Sequence, residues 1–192
     1  MKLLYLGNGE NNSLTDFLTE VCDEVVFISE RITIDDVIKY SPDYIVSYNY
    51  RYIIKKDIIK LLKNRIINLH ISYLPWNRGS HPNVWSHLED TPNGITIHYI
   101  DEGIDTGDII IQKEISFSDE DTLKTSHYKL NTEIQKLLIE NWDNIINNSF
   151  KPKPQVGNGT FHLSKELEEV WSCFKQGWDT RIKDIKTLKK GI

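Results

Sequence analysis

The stretch from Ile66 to Asp108 carries an amide, an imidazole and a carboxylate beside apolar residues of strand type. Asn68 and His70 stand in Asn68-Leu69-His70-Ile71-Ser72, followed by Leu74-Pro75 and Arg78-Gly79. Asp105 stands in Asp101-Glu102-Gly103-Ile104-Asp105-Thr106-Gly107-Asp108. No Ser or Cys nucleophile is paired with a base here, so an acyl intermediate on the protein's own side chain is not expected. The set instead supplies donors for a developing oxyanion, Asn68 and His70. Asp105 is a carboxylate that can orient the imidazole or relay a proton. That chemistry suits direct attack by a substrate amine on a bound acyl donor.

Elements that would position these groups follow from the apolar pattern. Lys2 to Leu6, then Gly7-Asn8-Gly9, then Ser13 to Leu18 reads as strand, tight turn and helix, the start of a parallel α/β sheet. Strands are predicted at Glu24–Ile28, Tyr44–Ser47, Ile66–Ile71, Ile95–Ile100 and Ile109–Ile115. Asn68 and His70 are two apart on a strand, so they share a face. Helices are predicted from Thr33, as cap, to Tyr40, over Ile53–Leu62 and over Pro82–Leu88. A long one runs over Leu123–Ile146, opened by Ser118 or Asp119. Pro75 to Gly79 reads as a loop. Residues 147–158, with Pro152, Pro154 and Gly157, read as a linker without periodicity. The expected organisation is a catalytic domain over 1–147, with a linker and small C-terminal appendage over 148–192.

The 192 residues suit one domain with a small addition, and 39% hydrophobic with 27% charged residues is a globular composition. A net charge of -5 does not favour a nucleic-acid backbone, and no nucleic-acid partner is expected. The two cysteines, Cys22 and Cys173, are far apart and in no metal-ligand spacing, which points to a reduced, cytoplasmic chain. No run approaches the ~18 apolar residues of a membrane span.

Asn-x-His-x-Ser-x-Leu-Pro, then Arg-Gly, then Asp-x-Gly-x-Asp-Thr-Gly resembles the folate-dependent formyltransferase family. The likeness covers the first two thirds or more of the chain. It implies a doubly wound, Rossmann-like α/β fold with a mostly parallel sheet. It also implies transfer of a formyl group from 10-formyltetrahydrofolate to a primary amine without a metal. Asn68, His70 and Asp105 match the family's catalytic triad. The family binds the pterin largely through main-chain groups, and the matching positions are Tyr52, Ile53, Ile54, Asp101, Glu102 and Gly103. The block from Leu74 to Trp85 looks most like the nucleotide-sugar N-formyltransferases, and Gly159-Thr160-Phe161-His162 is similar to a tail motif in them. The acceptor then implied is a nucleotide-linked amino sugar, such as a dTDP-4-amino-4,6-dideoxyhexose, destined for a surface polysaccharide such as lipopolysaccharide. Arg78 and His81 are candidates for its phosphates, and Trp85 and Phe161 for stacking on its base or sugar. Gly9 and Asn11 of the first loop are further candidates, although Glu10 stands where glycinamide ribonucleotide transformylase has a small hydroxyl residue. The length leaves no room for the tRNA-binding C-terminal domain of methionyl-tRNA formyltransferase.

Other readings stay open. The acceptor can be glycinamide ribonucleotide, or water in a hydrolase, or the chain can be a silent nucleotide-sugar or folate-binding domain. His98 is expected to face the sheet or its neighbour without a functional role. His87 and His127 are expected at the surface, and His81 and His162 remain open. Glu133, on the long helix, either approaches the amine site or sits on a solvated face. The acidic glycine loop lacks the spacing of a calcium-binding EF-hand. The oligomeric state is open, a homodimer through the C-terminal third being one option.

Overall fold

The computed structural model describes residues 1–8 and 12–188. Six strands form its main sheet: β1 (Lys2–Leu6), β2 (Glu24–Ile28), β3 (Tyr44–Tyr48), β4 (Ile66–His70), β6 (Gly94–Tyr99) and β7 (Ile109–Glu114). Their order is β2-β1-β3-β4-β6-β7. The first four neighbours are parallel, whereas β6 runs antiparallel to both β4 and β7. β3 and β6 are buried along their whole length, as strands covered on both faces must be.

Helices cover the two faces unequally. On one face α1 (Ser13–Val21) and the long α5 (Leu123–Ile146) pack Leu14, Leu18, Leu130, Ile134 and Leu138 against Tyr5, Val46, Ile67, Leu69 and Ile97. On the other, α2 (Ile34–Tyr40) and α3 (Lys56–Leu61) contribute Val37 and Ile58 to a cluster with Leu4, Leu6, Ile45 and Ile66. That second cluster stops at β4. Further along the same face the side chains turn polar: Asn68, His70, Thr96 and His98. The sheet is therefore open to ligands where β4 meets β6, at the carboxyl end of β4, as open α/β sheets favour.

Several local expectations are corrected. The third helix starts at Lys56 rather than Ile53, and Ile53 is 68% exposed. The long helix spans Leu123–Ile146 as predicted, but Thr122 caps it in a capping box with Thr125; Ser118 instead pairs with Asp121 in a separate turn. Part of the predicted loop, Arg78–Gly79, is a short strand, β5, paired in parallel with β8 (Phe161–His162). The linker is pinned: Lys153 and Ile109 exchange main-chain hydrogen bonds of 2.9 and 2.8 Å. Beyond it, α6 (Ser164–Trp171) and α7 (Ile182–Leu188) pack Leu167 and Ile185 against Val84, Trp85 and Leu88 of α4 (Pro82–Glu89). No helix among the described residues is long and apolar enough to cross a membrane.

Candidate active site

Asn68 and His70 leave β4 on the uncovered face. The antiparallel register sets His98 of β6 directly opposite Asn68, so its side chain emerges beside them. Asp105 arrives from the loop between β6 and β7, with its main chain in the left-handed region at φ 52°. Asp is one of the few residues that tolerates this conformation. Gly107 closes that loop against β6, where a Cβ would lie 1.8 Å from the Tyr99 carbonyl oxygen.

These groups converge on the Asp105 carboxylate, whose side chain is 12% exposed. Oδ1 accepts from Asn68 Nδ2 at 3.1 Å and lies 3.4 Å from His98 Nε2. Oδ2 accepts from the Gly79 N–H at 2.9 Å and lies 3.6 Å from His70 Nδ1. Burial alone would push this carboxyl up. The neighbouring His70 and His98 rings and the Gly79 N–H outweigh that and hold it well below the usual carboxylate range. The ring of His70 is further fixed by Nε2–H donating to the Asn77 carbonyl at 3.0 Å, and that of His98 by Nδ1–H donating to the Tyr99 carbonyl at 2.8 Å. His98 was expected outside the site and is instead 1% exposed within it. Its signal is the pairing of β4 with β6, which no local pattern reveals.

The trio opens onto a cleft of about 620 Å³. Tyr52, Ile53 and Ile54 line one wall, Asp101, Gly103 and Ile104 another, and Ser80, His81 and Phe161 the rim. Glu102 is exposed on the same loop but does not line the cleft. Asp101 is engaged within its own loop, accepting from Gly103 N at 3.0 Å and Thr106 Oγ1 at 2.6 Å. A second hollow of about 750 Å³ lies beside the first, lined by Asn8, Asn12, Lys124, Tyr128 and Asn131, and the two share Asn49 and His127. The candidates Gly9 and Asn11, with Glu10, lie outside the described residues.

Two substrate-site candidates are placed elsewhere. Trp85 is 6% exposed and stacks on His162, ring centroids 4.1 Å apart, within the cluster behind the cleft. Arg78 donates from Nη2 to the Asn158 carbonyl at 2.6 Å and does not line the cleft. His162 sits between Glu89 and Glu166, at 3.2 and 3.0 Å. His87, expected at the surface, is 4% exposed against Phe117, and burial pushes its imidazole down to about 4. Glu133 pairs with Lys113 and Lys136 at 2.7 and 3.5 Å, outside the cleft. No group of metal-ligating side chains occurs among the described residues.

Comparison with known proteins fits this geometry. A family model described as formyl transferase matches residues 28–141, which include Asn68, His70, His98 and Asp105. The chain is 34% identical over 167 residues to methionyl-tRNA formyltransferase of Thermodesulfovibrio yellowstonii, covering 84% of this chain and 53% of that protein. It spans about half the length of the curated relatives it matches. Among solved structures it is similar to the formyltransferase PseJ from Anoxybacillus kamchatkensis at 44% identity and a TM-score of 0.91, covering 96% of this chain and 97% of that one. That structure contains UDP-4,6-dideoxy-4-formamido-L-AltNAc and tetrahydrofolate. A 4-N formyltransferase from Francisella tularensis shares the fold at 24% identity and a TM-score of 0.76, over 88% of this chain and 79% of that one. The matched segment and the sequence identity together establish that the chain belongs to the formyl transferase family.

Proposed function

We propose that the chain transfers a formyl group from 10-formyltetrahydrofolate to the primary amine of a nucleotide-linked amino sugar. The observation that carries this reading is the convergence of Asn68, His70 and Asp105 at the floor of a cleft large enough for a pterin. Ile53, Ile54 and Ile104 offer that ring apolar walls, and the main chain beside them offers hydrogen-bonding groups. The likeness to PseJ, at 44% identity, supports the sugar acceptor. The adjoining hollow, with the Lys124 ammonium on its wall, suits the acceptor's diphosphate.

In this mechanism the amine nitrogen attacks the formyl carbon, a new C–N bond forms and charge gathers on the formyl oxygen. Asn68 Nδ2 carries two hydrogens; one goes to Asp105 at 3.1 Å, and the other, which faces His98 Nε2 at 3.3 Å, turns from that ring to the oxygen as charge gathers. His70 Nδ1 stands 3.6 Å from Asp105, too far for a tight charge-assisted hydrogen bond, so a proton on that nitrogen can be shared with an oxygen placed in the cleft beside it. Asp105, held ionised, orients the imidazole and relays the proton lost by the amine to water rather than keeping it. The bond from the formyl carbon to the folate nitrogen then breaks, and that nitrogen takes up a proton.

The test follows release of tetrahydrofolate by purified protein. Release is expected when a UDP- or dTDP-linked amino sugar is added. Release with no acceptor would point to a hydrolase. Release with glycinamide ribonucleotide or with methionyl-tRNA, but not with the sugars, would reassign the acceptor. Folate binding without turnover across all acceptors would leave a silent binding domain.

A further inference from the structure

Residues 153–162 cross the site as a strap, and they lie outside the segment matched by the family model. Two of the groups that fix the catalytic side chains, the Asn77 carbonyl and the Gly79 N–H, are themselves held by this strap. The Asn77 carbonyl, which orients His70, belongs to a residue whose N–H donates to Thr160 Oγ1 at 2.8 Å; that hydroxyl donates back to Asn77 Oδ1 at 3.0 Å. The Gly79 N–H, which binds Asp105 Oδ2, lies on β5, paired with β8. Gly79 has φ +86°, and a Cβ there would stand 2.3 Å from the His162 carbonyl oxygen, so the two strands meet too closely for any larger residue. The Asp105 main chain is gripped directly. Gln155 Nε2 donates to the Asp105 carbonyl at 2.7 Å and to the Gly107 carbonyl at 3.0 Å.

A primary amide has two hydrogens, so one Gln155 side chain can make both bonds at once. Together they bridge the two sides of the turn that holds Asp105 at φ 52°. The β6–β7 register ends at His98 and Ile109, so Asp105 and Gly107 lie outside its ladder. Losing the amide would free the turn to rotate, and the carboxylate would swing relative to His70 and Asn68. Displacement of a catalytic group by about 1 Å typically costs about 100-fold in rate.

We propose that Gln155 is a positioning residue for formyl transfer: by bridging the carbonyls of Asp105 and Gly107 it aims the Asp105 carboxylate at His70. This rests on the formyl-transfer reading above. Gln155→Met keeps the side-chain length and removes the donors. It should lower kcat about 10- to 100-fold while the KM for folate and acceptor stay within about 3-fold. Gln155→Lys, which restores a donor of similar reach, should recover part of the loss. In an Asp105→Ala background, Gln155→Met should have no further effect, since the group it aims is gone. An unchanged kcat, or a loss of the same size in both backgrounds, overturns the proposal. If the wild type transfers no formyl group to any acceptor, the reading of the site fails, and the positioning role is judged by NMR. The His70 imidazole nitrogen signals should move in Gln155→Met at unchanged Tm. Unmoved signals overturn it.

Discussion

Asp105 and Glu133 are both carboxylates with two basic side chains nearby, and they teach opposite lessons. Glu133 has the shorter contact, 2.7 Å to Lys113, against 3.4 Å from Asp105 to His98. Distance alone would make it the stronger pair. Lys113 and Lys136 are 52% and 58% exposed, however, so water screens both charges and the flexible side chains lose entropy on pairing. The side chains of His70 and His98 are 9% and 2% exposed, and Asp105 also accepts from an amide and a main-chain N–H. There each interaction acts in a low dielectric, and an unmatched charge would be costly. His87 completes the contrast: it is buried, and its Nε2 has no hydrogen-bond partner among the described residues.

The contrast breaks most readily at Asp105. Asp105→Ala should lower turnover about 100- to 1000-fold while folate still binds, the scale set by general acid–base and oxyanion groups. Equilibrium folate binding and single-turnover rates separate the two effects. Retention of near-normal turnover would reduce Asp105 to the rank of Glu133.

The next effect is on stability against pH. His87 has a folded value of about 4 and an unfolded value near 6.5, so the unfolded chain binds its proton first as pH falls. Stability due to a neutral His87 is fully present above about pH 6.5 and is lost down to about pH 4, on the order of 3 kcal/mol in all. Asp105 acts in a lower window. Its folded carboxyl is depressed, so its contribution is present above the unfolded value near 3.9 and disappears only as pH falls below it. Denaturant melts at pH 7, 5.5 and 4 should show the first loss in the native chain and a flatter profile in His87→Gln.

The smallest effect is expected at Glu133. Glu133→Gln should change stability by less than about 1 kcal/mol and leave turnover within about 2-fold. A loss of activity comparable to that of Asp105→Ala would show that the exposed cluster reaches the acceptor after all.

What was legible in the sequence is what local pattern encodes. The strands, the shared face of Asn68 and His70, and the long helix over Leu123–Ile146 follow from alternation, spacing and helical period. What was missed depends on pairing between distant segments. His98 joins the site because β6 runs against β4 and sets it opposite Asn68. Trp85 read as an aromatic able to stack on the acceptor's base or sugar, but α6 and α7 fold over it and His162 takes its face. Residues 147–158 lacked periodicity because their partners are a loop and a strand edge, not a repeating face. Arg78–Gly79 and Phe161–His162 are too short to announce themselves as strands, yet together they bring the Gly79 N–H to Asp105.

The pairing of Arg78 with Phe161 also bears on the order of assembly. Thr160 and Asn77, which bond across the same junction, are 83 residues apart in the chain. Contacts of such span are among the slowest to form, since a long loop must close before they yield any energy. As synthesis proceeds, the sheet can take shape well before the pocket does. A nascent chain ending near Ile146 would carry every side chain of the triad and still lack the scaffold that aligns them.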